Sequence, residues 1–131
     1  MKNLRLLPLL LALSLPALAE SWTTASSRDG DTWQVDTASS KDVTVNGKAY
    51  RQVAVKARFK EPVDDFGKRS DELQALMLFD CAGKLSGNRE EHGFLGGKPS
   101  YNRIIPDDQL DLMDVFPNTA VSDLAALVCR K

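Results

Sequence analysis

This 131-residue chain has only one histidine and two cysteines, the side chains that most often hold zinc. A zinc site of ordinary composition needs several such side chains, and a Ser-His-Asp triad needs a histidine with suitably placed partners. His92 lies in Glu90-Glu91-His92. Sequence neighbours point in different directions on a strand or helix, so this run is expected to be a solvated loop rather than a ligand set. A phosphate-cradling loop is also missing, because Gly96-Gly97-Lys98 runs into Pro99 with no helical pattern behind it. Asp64-Asp65 sits in a polar stretch where adjacent carboxylates are usually hydrated. These absences argue against an enzyme, and no metal or cofactor is expected.

Strong net charge is absent too. The chain carries 17 basic and 18 acidic residues, and the only charges in its first nineteen positions are Lys2 and Arg5. Without that segment, 15 basic residues oppose 18 acidic ones, a net charge of −3 with His92 neutral. Nucleic acids and anionic membranes reward a strong positive field, so neither is an expected partner.

Only one long apolar run occurs, Leu6 to Leu15. It is about half the roughly 20 residues needed to span a bilayer. Lys2 and Arg5 precede it, Pro16 ends it, and Ala17-Leu18-Ala19 offers the small residues of a cleavage site. This is the three-part plan of a secretory signal peptide over residues 1–19, cut between Ala19 and Glu20. No transmembrane segment is expected. No cysteine follows the cut, so the protein is not expected to be a lipoprotein. The expected location is the periplasm, with the medium or the cell surface as further destinations.

In an exported domain spanning residues 20–131, two cysteines read first as a disulfide, here Cys81–Cys129. Closing a loop of about 49 residues stabilises by roughly 4 kcal/mol in the chain-entropy account. Free thiols, a redox pair or a metal pair are the alternatives, but metal and redox pairs usually stand close together, as in C-x-x-C.

Strand signals dominate the first half. Trp22 to Ala25 precedes a turn containing Asp29-Gly30, and Thr32 to Asp36 alternates. Val43-Thr44-Val45 leads into Asn46-Gly47, a strong hairpin signal. Along Ala49 to Phe59, Val53, Val55, Ala57 and Phe59 form an apolar face, with Gln52, Lys56 and Arg58 on the other. Glu61 to Ser70 reads as a polar loop. Glu72 to Cys81 puts Leu73, Ala75, Met77 and Phe79 on one face, with Leu76 and Leu78 opposite, as in a central strand. Cys81 is in phase with the first face, so its sulfur is expected to point into the core. Gly83 to Gly97 reads as one hairpin or a loop, Tyr101 to Ile105 as a strand, and Pro106 to Met113 as the place of a short helix. From Thr119, Val121, Leu124, Ala125 and Val128 form an amphipathic stripe that includes Cys129. The predicted fold class is α+β: a small antiparallel sheet packed against a C-terminal helix and closed by one disulfide.

Lys56, Arg58 and Lys60 recur at alternate positions, about 6.5–7 Å apart on one strand face. This basic ladder is the candidate binding face for an acidic partner. The competing reading pairs it across the sheet, with Glu72 near Lys60 and Gln74 near Arg58.

The order of features, Trp22, Asp29-Gly30, Trp33-Gln34-Val35-Asp36, Asp80-Cys81, Phe116-Pro117-Asn118-Thr119 and Val128-Cys129, resembles the surface-adhesin protein E family of Gram-negative bacteria. The resemblance covers Trp22 to Cys129. It implies a non-catalytic envelope domain that binds a protein partner, either a host matrix or serum protein or another envelope protein. A periplasmic structural or regulatory module with a bacterial partner is the alternative. The resemblance transfers no binding residue and fixes no oligomeric state.

Overall fold

The computed structural model describes residues 21–65 and 67–130. The expected signal segment 1–19 and the expected Ala19–Glu20 cleavage pair lie outside the described residues. Six strands follow one another as an antiparallel meander: β1 (Trp22–Ser26), β2 (Thr32–Val45), β3 (Lys48–Asp65), β4 (Lys68–Asp80), β5 (Leu85–Leu95) and β6 (Lys98–Ile104). A two-residue strand, β7 (Met113–Asp114), pairs with the start of β5, and helix α1 (Ala120–Val128) ends the fold. Among the described residues no helix is long and apolar enough to cross a membrane.

Turn chemistry explains the meander. Asn46 and Gly47 both have positive φ (51° and 79°), as the tight turn between β2 and β3 requires. Gly96 and Gly97 do the same between β5 and β6. Directly opposed residues share a sheet face, so the registers define rows across the sheet. One row runs Val35, Val55, Ala75, Glu91, Arg103, and another runs Gln34, Lys56, Gln74, His92, Asn102. The first row lies on the core face. There Val35, Val53, Val55, Ala75, Met77 and Phe79 pack against Leu124 and Val128 of α1.

The helix stripe is as the periodicity predicts, with Leu124 and Val128 buried and Val121, Ala125 and Cys129 packed beside them. Thr119 caps α1: its hydroxyl accepts from Ser122 N (3.1 Å), while Ser122 Oγ accepts from Thr119 N (3.0 Å). Asp123 fastens the first turn to β1, through Arg28 (2.7 and 3.0 Å) and Ser26 (2.7 Å). The Arg28 and Ser26 hydrogen bonds hold the Asp123 carboxyl down at about 2. At the other end, Cys129 is bonded to Cys81, with Cα atoms 5.6 Å apart.

Several expectations are corrected. Cys81 does not enter the core. β4 ends at Asp80, and the chain turns at Cys81, which is exposed, so the bond reaches the core only through the half-buried Cys129. Glu61 to Ser70 is a paired hairpin arm, not a loop: Val63, Asp64 and Asp65 face Ser70, Arg69 and Lys68. A register shift between Arg58 and Val63 breaks the alternation, which hid the arm from periodicity. The arm also resets the pairing, placing Glu72 opposite Arg58 and Gln74 opposite Lys56. Gly83 to Gly97 contains a full strand, β5, and His92 lies on it rather than in a loop. The expected helix from Pro106 to Met113 is a single 3-10 turn, Asp107–Gln109.

Candidate functional site

Because α1 lies against β1 and β2, the core face beneath β5 and β6 is left open. A cleft of about 540 Å³ fills that space. Its floor is apolar, formed by Trp33, Leu73, Ala75 and Met77, and Val121 of α1 closes one side. This volume lies within the range of roughly 300–1,000 Å³ typical of ligand sites.

Opposite the helix, the wall is a fixed polar cluster. Glu91 is only 6 % exposed because its row places it on the core face. Its Oε1 accepts from Arg103 Nη2 (2.9 Å) and Nε (3.2 Å), and its Oε2 accepts from Asn88 Nδ2 (2.6 Å). A register shift between Leu76 and Met77 brings Asn88 onto this face opposite Met77. With both oxygens engaged, Glu91 acts as a brace joining β5 to β6. Above it, the Tyr101 ring lies across Gly93, where a Cβ would fall 2.2 Å from the ring. Tyr101 donates to Asp65 at 3.2 Å. Burial, with Asp65 nearby, pushes the Tyr101 hydroxyl up to about 12.

The connection from β6 to α1 forms the third side. It crosses first to the opposite sheet face, where Arg89 bonds Asp107 and Gln52, and Asn46 donates to the Asp107 carbonyl. It then returns along the outer edge of β5. There Met113 pairs with Ser86, Asp114 pairs with Leu85, and Val115 N bonds Lys84 O at 2.9 Å. Thr119 Oγ1 donates to the Phe116 carbonyl at 2.7 Å. Met113 and Phe116 are thus held on fixed backbone, yet are 66 % and 63 % exposed at the cleft. Asp111 and Asp114 belong to the same segment beside it, and the register pairs Asp114 with Leu85 on the sheet face opposite that of Met113. Among the described residues, no ion pair or side-chain hydrogen bond engages Asp111 or Asp114.

The residues singled out in the sequence lie elsewhere. Lys56 and Arg58 sit on the sheet face opposite the helix. Lys56 Nζ stands 4.4 Å from the centre of the Trp22 ring, a cation–π contact, and Arg58 pairs with Glu72 at 3.2 Å. Lys60 lays its stem over Gly30, and its backbone N–H bonds Asp31 at 2.9 Å. The three therefore do not form one unpartnered row. His92 shares the opposite face with Glu90 and bonds Asn102 (2.6 Å) and Glu90 (3.2 Å). Asp64 and Asp65 are at the hairpin tip. Of the acidic and histidine residues weighed in the sequence, only Glu91 reaches the cleft. Among the described residues no group of three or more His, Cys, Asp or Glu side chains could hold a metal ion.

Little in the sequence signals this cleft. Met113 and Phe116 stand outside any periodic run, and Glu91 breaks the apolar pattern of its row. Comparison with protein-family models, curated proteins and solved structures finds no match.

Proposed function

We propose that this chain is a non-catalytic exported protein of the bacterial envelope, adhesin-like in the sense of the surface-adhesin protein E family, and that it binds a protein partner through the cleft beside α1. The observation that carries the reading is the exposure of Met113 and Phe116 on anchored backbone at the mouth of an apolar cleft. Exposed apolar groups that are already ordered lose little entropy on binding, and a Met–Phe pair adapts to varied apolar surfaces. The order of motifs from Trp22 to Val128-Cys129 is what supports the adhesin-like reading. The signal plan of residues 1–19 supports export.

The test is retention on the immobilised protein of purified host matrix and serum proteins, and separately of solubilised envelope proteins. Met113→Ser with Phe116→Ser is expected to abolish retention of whichever protein binds. The triple change of Lys56, Arg58 and Lys60 to Gln is expected to leave it intact. Retention lost with the triple variant and kept with the first would move the site to the basic ladder.

A further inference from the structure

The two edges of the sheet are finished differently. On one side, β1 is five residues long, shifts register between Thr24 and Ser26, and is fastened to α1 through Ser26 and Asp123. The rest of that edge, Lys41 to Val45 of β2, follows a register shift and carries the exposed charges Lys41 and Asp42. Short, irregular or charged strands are how sheets resist the addition of a further strand. On the other side, β6 has Lys98 and Pro99 at its start, but Asn102 to Ile104 has no such protection. Ile105 N–H bonds the Arg89 carbonyl at 2.9 Å, so in the alternating antiparallel pattern Arg103 and Tyr101 also bond β5. The backbone groups of Asn102 and Ile104 therefore point outward, and among the described residues no strand pairs with them. The charge in this stretch, Arg103, is turned onto Glu91, while Ile104 is 70 % exposed. We infer that β6 is an interface between two copies of this chain, joined antiparallel edge to edge so that their sheets become one.

The side chains select one register. Asn102 and Ile104 must fall in hydrogen-bonded pairs, so a two-fold axis within the open stretch has three places. An axis at Ile104 sets Asn102 against Pro106, which has no N–H to give. An axis at Arg103 sets the two guanidiniums directly opposite in a close pair, where like charges repel. An axis at Asn102 pairs Asn102 with its own copy and sets each Arg103 opposite Tyr101 of the other copy. A guanidinium beside a tyrosine ring is attracted to it. Ile104 then lies opposite Ser100 and loses part of its exposure. A register that favours both copies at once is what an isologous interface requires. This axis runs perpendicular to the sheet, so both helices lie on one side and both clefts open in the same direction. Arg103 and Ile105 line the cleft, so Tyr101 of the second copy stands against a cleft wall. The pairing rests on the edge of β6 alone and holds whether or not the cleft takes a partner.

A contact this small makes a weak dimer, so the test is light scattering and sedimentation of the exported protein across concentration. The mass is expected to rise from monomer to dimer between about 10 µM and 1 mM. Ile104→Lys places a charge on the edge and is expected to raise the midpoint concentration at least about tenfold, with the Tm of the dilute protein unchanged. Asn102→Cys tests the register. In a hydrogen-bonded pair the Cα atoms stand about 5.5 Å apart, within disulfide range, so a covalent dimer is expected with Cys81–Cys129 intact. Ile104→Cys stands about 13–14 Å from its own copy in that register and is expected to remain monomeric on a non-reducing gel. A monomer throughout the range, a dimer indifferent to Ile104→Lys, or cross-linking at position 104 in preference to 102 would each overturn the inference. Failure of the cleft reading shows elsewhere, as partner retention untouched by Met113→Ser with Phe116→Ser.

Discussion

Reducing the Cys81–Cys129 bond should destabilise this domain more than breaking any of its ion pairs. The two cysteines are 48 positions apart, and for a loop of that size the chain-entropy account gives about 4 kcal/mol. A domain of about 110 residues has an unfolding entropy at which this corresponds to a Tm lowered by roughly 15–20 °C. The structure indicates where the loss appears. Cys129 ends α1, which is otherwise held by the packing of its apolar stripe around Leu124 and Val128 and by the bonds of Asp123 to Arg28 and Ser26, so the reduced protein should lose protection first at the helix. Thermal melts with and without reductant give the shift, and urea unfolding gives the slope. The slope should rise on reduction, because the unfolded chain is freed to expose more surface. Cys81→Ala with Cys129→Ala should reproduce the reduced protein to within a few degrees, since Cys81 is exposed and the half-buried Cys129 gives up only one packed sulfur atom. A shift of less than about 5 °C, or a double variant far less stable than the reduced protein, would refute loop closure as the main contribution.

Glu91→Ala should cost roughly 2–3 kcal/mol in urea unfolding. That is less than the 3–5 kcal/mol of a fully buried pair because Arg103 remains 40 % exposed and can be rehydrated; a loss under about 0.5 kcal/mol would show that the brace is not structural. Asp123 has its pKa lowered in the folded state from 3.8 to about 2, so its contribution is present above pH 3.8 and fades as pH falls towards 2. Asp123→Asn should therefore flatten the fall in Tm between about pH 5 and pH 2.5, and an unchanged acid profile would contradict the pairing. The exported protein should begin at Glu20, and an intact mass retaining Met1 to Ala19 would contradict the signal assignment.

The disulfide, the antiparallel sheet and the helix stripe were legible because each rests on a simple period or pairing rule. Val53, Val55 and Ala57 alternate without interruption, and Val121, Leu124 and Val128 keep helical spacing. Legibility failed where the period breaks. The register shift between Arg58 and Val63 disguised a paired arm as a loop and moved Glu72 from Lys60 to Arg58. Glycine hid β5: Gly87 makes room for Asp111 and Leu112, and Gly93 for the Tyr101 ring, so the residues that permit close packing weaken the strand signal. The inward phase assigned to Cys81 assumed that β4 continued past Asp80. Asp80 instead accepts from Gly83 N at 2.9 Å and closes a turn. The cleft was least legible of all. It is assembled from β2, β4, β5, β6, a connecting segment and α1, and no local pattern encodes the space between them.

The most direct test of the central claim is site-specific photo-crosslinking of the exported protein in intact cells and with host matrix proteins. A photoreactive phenylalanine analogue replaces Phe116 at the cleft in one protein and Lys56 on the opposite sheet face in another. Partner binding at the cleft predicts a protein adduct from position 116 and none from position 56. Adducts from position 56 alone, or equally from both, would contradict it.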